Sequence, residues 1–258
     1  MKRLVLLGLC LLAPLPVLGQ SWTVAPLPDN LTPDASTQDF VDANLLATFY
    51  HELGHGLIDV LMLPVLGREE DAVDTLSALM IHDLWQEEAA VNMVYHTAGA
   101  FQAYAIEAEA NGYEPAYWGQ HSLDMQRYYN LICLFYGANP DEREDIAIDL
   151  GLPENRAVRC PDEFALAYDS WGVMLEGLEP GPDMFGLVME PGDADDPVYA
   201  LLSEEVAELN KTYGLPQEIR VGVEPCGQAN AFYVPAEARI IMCTEYAEDL
   251  ARIWQGAE

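Results

Sequence analysis

Two histidines four residues apart, with a glutamate directly after the first, constrain this chain of 258 residues more than any other feature: His51-Glu52-Leu53-Gly54-His55. Imidazoles at i and i+4 share one face of a helix, one turn apart. Both can then reach a single zinc ion at about 2.0–2.1 Å, while Glu52 approaches a water on it. The flanking residues agree with a helix, since apolar side chains recur at helical spacing from Asp39 to Met62 and the pattern stops before Pro64.

Two ligands do not close a zinc site, and the source of the third sets the class. A metzincin-type motif needs glycine at 58 and a ligand at 61, where this chain has Ile58 and Leu61. Asp59 continues the i, i+4, i+8 series, but its Cα falls about 12 Å along the axis from that of His51, too far to share the ion. It is assigned a supporting role behind the ligands, or a cap. The next helix, expected from Arg68 to about Trp85, offers more. Glu70 and Asp74 lie one turn apart, so Glu70 is expected to bind zinc while Asp74 accepts a hydrogen bond from a ligating imidazole. Glu69 is the rival ligand; its own i+4 neighbour is the apolar Val73. Pro64 and Gly67 supply the turn that folds the two helices together. Carboxylates at a helix N-terminus are favourable in themselves, which explains the acids but not the neighbouring histidine pair.

Further helices are expected at Glu87 to Glu109 and at about 121–136, 141–150, 161–176 and 198–212, separated by Gly/Pro punctuation. Glu218 to Glu224, Ala231 to Val234 and Arg239 to Thr244 look like strands. The expected fold is thus α+β and mainly helical, a single domain over 20–258 with a small antiparallel sheet from the C-terminal segment 218–244. Residues 1–19 have the three parts of a secretory signal: Lys2 and Arg3, the apolar run Leu4 to Leu12, and Val17 and Gly19 at the small-residue cleavage positions. The run is too short to span a bilayer, so export without a membrane anchor, to the periplasm or the medium, is expected. Four cysteines then remain, Cys133, Cys160, Cys226 and Cys243, an even number suited to an oxidising compartment. Three pairings are possible, and the sequential one, Cys133 with Cys160 and Cys226 with Cys243, is favoured because each bond closes a local loop.

Eleven Lys and Arg stand against 43 Asp and Glu, a formal charge of −32. Nucleic acid and anionic lipid are poor partners for such a chain, because both are bound by neutralising negative charge with Lys and Arg. The cluster Asp193, Asp195 and Asp196 has oxygen ligands suited to calcium but lacks the spacing of an EF-hand, and reads first as a solvated loop. Tyr113, Tyr117, Trp118, Tyr128 and Tyr129 form an aromatic cluster that suits core packing better than a cleft.

The Glu70/Asp74 pair resembles the Glu-x-x-x-Asp element of gluzincin metallopeptidases. The chain as a whole resembles a bacterial metallopeptidase family filed as domain of unknown function 4344. Phe49 to Asp59, Leu63 to Ala72, Trp118 to Leu123, Gln126 to Asn130, Cys133, Arg156 to Cys160 and Trp171 carry that resemblance. It implies zinc held by His51, His55 and Glu70, with Glu52 as general base in amide hydrolysis of a peptide substrate. His121 is the first choice as donor to the oxyanion, with Tyr95, His96 and Tyr233 behind it, and Arg127 is expected to pair with Glu69, Asp71 or Asp74. In that family a block like Cys226 to Tyr233, with the strand leading to Cys243, precedes the histidine helix; here it follows. This order suggests a circular permutant, or else an independent C-terminal hairpin. A peptide-binding sheet edge beside the zinc would then place Arg239 to Thr244 against the helix of His51, Phe232 or Tyr233 near the cleft, and Trp254 near Asp39. The competing readings are a catalytically silent zinc-binding domain, against which Glu52 argues, and a nonpeptidic amide hydrolase such as a cell-wall amidase.

Overall fold

The computed structural model describes residues 37–257. The expected signal segment, residues 1–19, lies outside the described residues. Helices α1 (Thr37–Val60), α2 (Glu69–Leu84), α3 (Glu87–Ala110) and α4 (Asp124–Ala138) lead through two short helices, α5 (Glu144–Asp149) and α6 (Glu154–Ala157), to α7 (Cys160–Leu175). Strand β1 (Leu187–Met189), helix α8 (Pro197–Thr212), strands β2 (Ile219–Glu224), β3 (Ala231–Val234) and β4 (Arg239–Cys243), and helix α9 (Thr244–Ala257) complete the chain.

Helix α1 is the centre of the molecule. Phe40, Leu45, Phe49, Tyr50, Leu53 and Leu57 are buried on successive faces, so the helix is apolar nearly all round, as a core helix must be. Helices α2, α3, α8 and α9 and strands β3 and β4 all pack against it. The Tyr50 hydroxyl, inside this core, donates to Glu205 of α8 at 2.8 Å and accepts from Trp85 Nε1 at 2.9 Å. At its C-terminal end α1 stops where Met62 adopts φ +52°, with Leu63 N–H bonding back to the Ile58 carbonyl at 2.9 Å. Pro64 then prevents the helix from resuming.

Two glycines inside the histidine motif let neighbours close on it from opposite sides. A Cβ on Gly54 would stand 2.8 Å from Val73 Cβ of α2, and one on Gly56 would meet Ile219 Cδ1 at 3.0 Å and Tyr233 Cε2 at 3.3 Å. Helix α2 therefore lies antiparallel on one side of the motif, pinned further along by Ser77 Oγ donating to the Ala47 carbonyl at 2.8 Å. The sheet lies on the other side.

The sheet has the order β1-β2-β4-β3 and is mixed, not antiparallel as expected. Strands β3 and β4 form the antiparallel hairpin, but β1/β2 and β2/β4 are parallel. The parallel β1/β2 pair comes from α8, which carries the chain back over the sheet between them, the connection that parallel neighbours require. Strand β1 is only three residues long and sits in a Gly/Pro-rich stretch, too short to show a period of two.

Helix α9 was also not expected, although Leu250, Ile253 and Trp254 recur at i, i+3 and i+4 and are buried. It brings Trp254 against Phe40, with ring centroids 4.9 Å apart, at the N-terminal end of α1. The two ends of the described chain thus meet, which is the geometry a permuted order requires. Disulfides Cys133–Cys160 and Cys226–Cys243 tie α4 to α7 and the β2–β3 loop to the end of β4. Of the aromatic cluster, Tyr128 is buried, but Tyr113, Tyr117 and Trp118 are exposed in the α3–α4 connection and do not build the core.

Because α2 touches α1 at Gly54, Gly54→Ala should destabilise the protein by about 1–3 kcal/mol through overpacking against Val73. Denaturant unfolding measures this; unchanged stability would mean that the helices are free to move apart at the motif.

Candidate metal centre

The antiparallel register of α1 and α2 places residue 51 opposite 74 and residue 55 opposite 69 and 70. His51 Nε2 lies 3.2 Å and His55 Nε2 3.3 Å from Glu70 Oε2. These three side chains form a group whose ligand atoms all lie within 4.8 Å of one another and could hold one metal ion. The far sides of both rings are engaged as well. His51 Nδ1 is 2.7 Å from Asp74 Oδ1, and His55 Nδ1 is 2.7 Å from Glu69 Oε1. Imidazoles that donate Nδ1–H to carboxylates direct the Nε2 lone pair inward, the tautomer that a metal ligand needs. Arg127 fixes Asp74 in turn with a bidentate pair, Nε to Oδ2 and Nη2 to Oδ1, both at 2.7 Å, while its guanidinium stacks 4.4 Å from the Phe101 ring centroid.

Glu70 Oε2 is buried and faces three imidazole nitrogens at 2.9–3.3 Å. A desolvated carboxylate oxygen in that condition is costly unless a cation satisfies it. The electrostatics agree. His121, His51 and His55 hold the Glu70 carboxyl well below the usual carboxylate range. Burial alone would depress His51, yet its contacts with Asp74 and Glu70 outweigh that and raise its pKa to about 9. Burial likewise works against ionised Asp74, and His51 and Arg127 overcome it, keeping the carboxyl well below its ordinary value. All three shifts express one property, a site that favours positive charge where the ligand atoms converge.

Glu52 is buried between the two histidines in sequence and is raised above the ordinary glutamate pKa, by burial first, against the opposing pull of His51 and His55. The Tyr233 backbone N–H supports its carboxylate, so edge strand β3 runs directly beside it. His121 stands at the mouth, half-exposed, stacked on His51 with ring centroids 5.9 Å apart and with Nε2 2.9 Å from Glu70 Oε2. It is held there by the next residue: Ser122 Oγ donates to Asp71 at 2.6 Å and accepts from Arg68 at 3.3 Å.

Asp59 sits elsewhere. Its carboxylate accepts the Tyr233 hydroxyl at 2.7 Å, tying β3 to the end of α1, and forms no hydrogen bond or ion pair with either histidine. The partner behind His55 is Glu69, which the spacing had presented only as a rival ligand; its position one residue before Glu70, facing the last turn of α1, is the signal that would have found it. Tyr95 bonds Asp149 at 3.1 Å, and His96 is buried between Phe40 and Trp254, so neither belongs to the site. In the acidic loop, Asp196 caps α8 by accepting from Val198 and Tyr199 N–H, and Asp193 accepts from Asp195 N–H, a helix-cap arrangement instead of an ion cage.

The family model for DUF4344, described as "Putative metallopeptidase", matches residues 28–175 and 199–258. The chain belongs to this family. Its match spans the histidine helix, α2, the His121 segment and the β3–β4 hairpin with α9. No curated protein and no solved structure matches the chain.

If Asp74 holds His51 in its ligating orientation, Asp74→Ala should weaken metal affinity about 10–100-fold. Competitive chelator titration against wild type measures it; equal affinities would show that Asp74 serves only Arg127 and the packing of α4.

Proposed function

We propose that this family member is a secreted zinc peptidase. The observation that carries the reading is the convergence of two imidazole nitrogens and one carboxylate oxygen next to a buried, unligated glutamate. Ligand atoms at about 2.0–2.1 Å from one tetrahedral ion stand about 3.3–3.4 Å apart. The separations of 3.2 and 3.3 Å to Glu70 Oε2 fit that edge length. The nitrogen-and-oxygen donor set suits zinc, and three protein ligands are the number that catalytic zinc sites use.

Bound zinc would supply Lewis acidity at the scissile carbonyl and an acidified water. Glu52 would take a proton from the attacking water and deliver it to the leaving amine. Its burial raises its basicity, which suits a group that must accept and then release a proton near neutral pH. His121 is the proposed donor to the developing oxyanion, since its exposed ring faces the open side of the ligand set. Strand β3 is the sheet edge on which an extended peptide would lie, its backbone at Tyr233 already within reach of Glu52. The two disulfides are compatible with export, and none of the described helices is long and apolar enough to cross a membrane.

A silent zinc domain is disfavoured because a purely structural site has no use for a glutamate beside its ligands. A nonpeptidic amide hydrolase would use the same groups and differs only in what lies on the β3 edge.

The purified protein should hold about one zinc per chain, and His51→Ala or His55→Ala should lose it. Glu52→Gln should keep the zinc while cleavage of an unbiased peptide library falls by at least about a thousandfold. Stoichiometric zinc in both histidine variants, or undiminished cleavage by Glu52→Gln, would overturn the assignment.

A further inference from the structure

The ligand set opens into a cavity of about 540 Å³ that runs from His51, Glu52 and His121 inward between α1, α3 and α4. Its walls are apolar at Ala47, Ala100, Phe101 and Leu131. Two polar groups in it form neither a hydrogen bond nor an ion-pair contact. The Thr97 hydroxyl is buried, with Thr97 only 6% exposed, lines the cavity and forms no hydrogen bond. Asp124, in the first turn of α4, lines the same cavity and has neither a hydrogen bond nor an ion pair among the described residues, in contrast to Asp74, which Arg127 occupies fully. Burial raises the Asp124 pKa, and Arg127 and His121, which act on it without an ion-pair contact, offset that only in part.

The charge around the cavity points the same way. Glu52, Glu69, Glu70, Asp71, Asp74 and Asp124 surround the site against two guanidiniums, Arg68 and Arg127, so even a divalent ion leaves it two charges negative. Most other basic residues of the described chain are already committed: Arg143 to Glu87, Arg156 to Glu163, Lys211 to Glu208, Arg220 and Arg239 to Glu190, Arg252 to Glu107 and Asp249. Asp124 is thus left without an ion-pair contact, which a cationic group on a ligand would supply.

We propose that this cavity is a specificity pocket for a basic residue of the substrate, its aliphatic stem lying along Phe101 and Ala100 and its charged end meeting Asp124, while Thr97 takes a polar group at the inner end. This rests on the peptidase reading for its use, and on the cavity itself for its chemistry. Long basic side chains suit such a site because the methylene stem is apolar and only the tip is charged. Burial in a partly enclosed cavity screens the pair less than an exposed one.

Binding and cleavage separate the two claims. Fluorescein-labelled peptide pools carry lysine, norleucine or glutamate at one central position, with the other positions randomised. Their affinity for zinc-loaded Glu52→Gln protein is read by anisotropy, and their cleavage by wild type is read in parallel. The lysine pool should bind about tenfold tighter than norleucine, the uncharged chain of similar length. Asp124→Asn in the same background should bring the two within about twofold, and Asp124→Glu should restore the preference, which excludes a folding defect as the cause. Equal binding of lysine and norleucine, or a preference that survives Asp124→Asn, would overturn the pocket. Selective lysine binding without cleavage of any pool would overturn the peptidase reading and leave the pocket standing; cleavage of all pools with no lysine preference would do the reverse.

Discussion

How closely α2 can lie against α1 decides the rest of this structure. Contact at Gly54 and Val73 sets a register in which Glu70 meets both histidines, Asp74 reaches the back of His51 and Glu69 the back of His55. One side chain larger than hydrogen at position 54 would separate all of these pairs together. The same short helical segment presents Gly56 to the sheet on the opposite side. Core packing and the convergence of His51, His55 and Glu70 are thus two consequences of one pair of close approaches.

Around that segment the protein keeps a graded charge distribution. Carboxylates behind each imidazole orient it, Arg127 neutralises the innermost of them, and Ser122 and Arg68 hold the segment that carries His121. Pairing is dense enough that an unpaired carboxylate becomes informative. Over the whole chain the excess of 43 acidic over eleven basic residues means that a cationic ligand approaches down a favourable potential, whereas an anionic one is repelled.

The histidine helix and its acidic neighbour were legible because both depend on local periodicity: i, i+4 spacing fixes which side chains share a face, and Pro64 marks the stop. Long apolar patterns likewise gave α3, α7 and α8 to within a few residues. What sequence could not resolve were matters of register between elements. Asp59 continues the histidine spacing along α1 whereas Glu69 lies fourteen residues past His55, and only the antiparallel packing of α2 sends Glu69 to His55 while Tyr233 takes Asp59. The parallel strands escaped for a related reason, since β1 is three residues long and its partner lies beyond a whole helix. Thr97 and Asp124 carry no motif; they stand out only when the cavity between α1, α3 and α4 is known and their neighbours' hydrogen bonds are accounted for.

The central claim is that three convergent atoms on α1 and α2 hold one zinc ion and leave it accessible. Anomalous diffraction at the zinc edge from crystals of zinc-loaded protein tests it most directly. The account predicts a single strong peak bonded to His51 Nε2, His55 Nε2 and a Glu70 oxygen, each at about 2.0–2.2 Å, with the remaining position facing Glu52 and the cavity. A peak coordinated by four protein side chains, or one located away from these three residues, would contradict it.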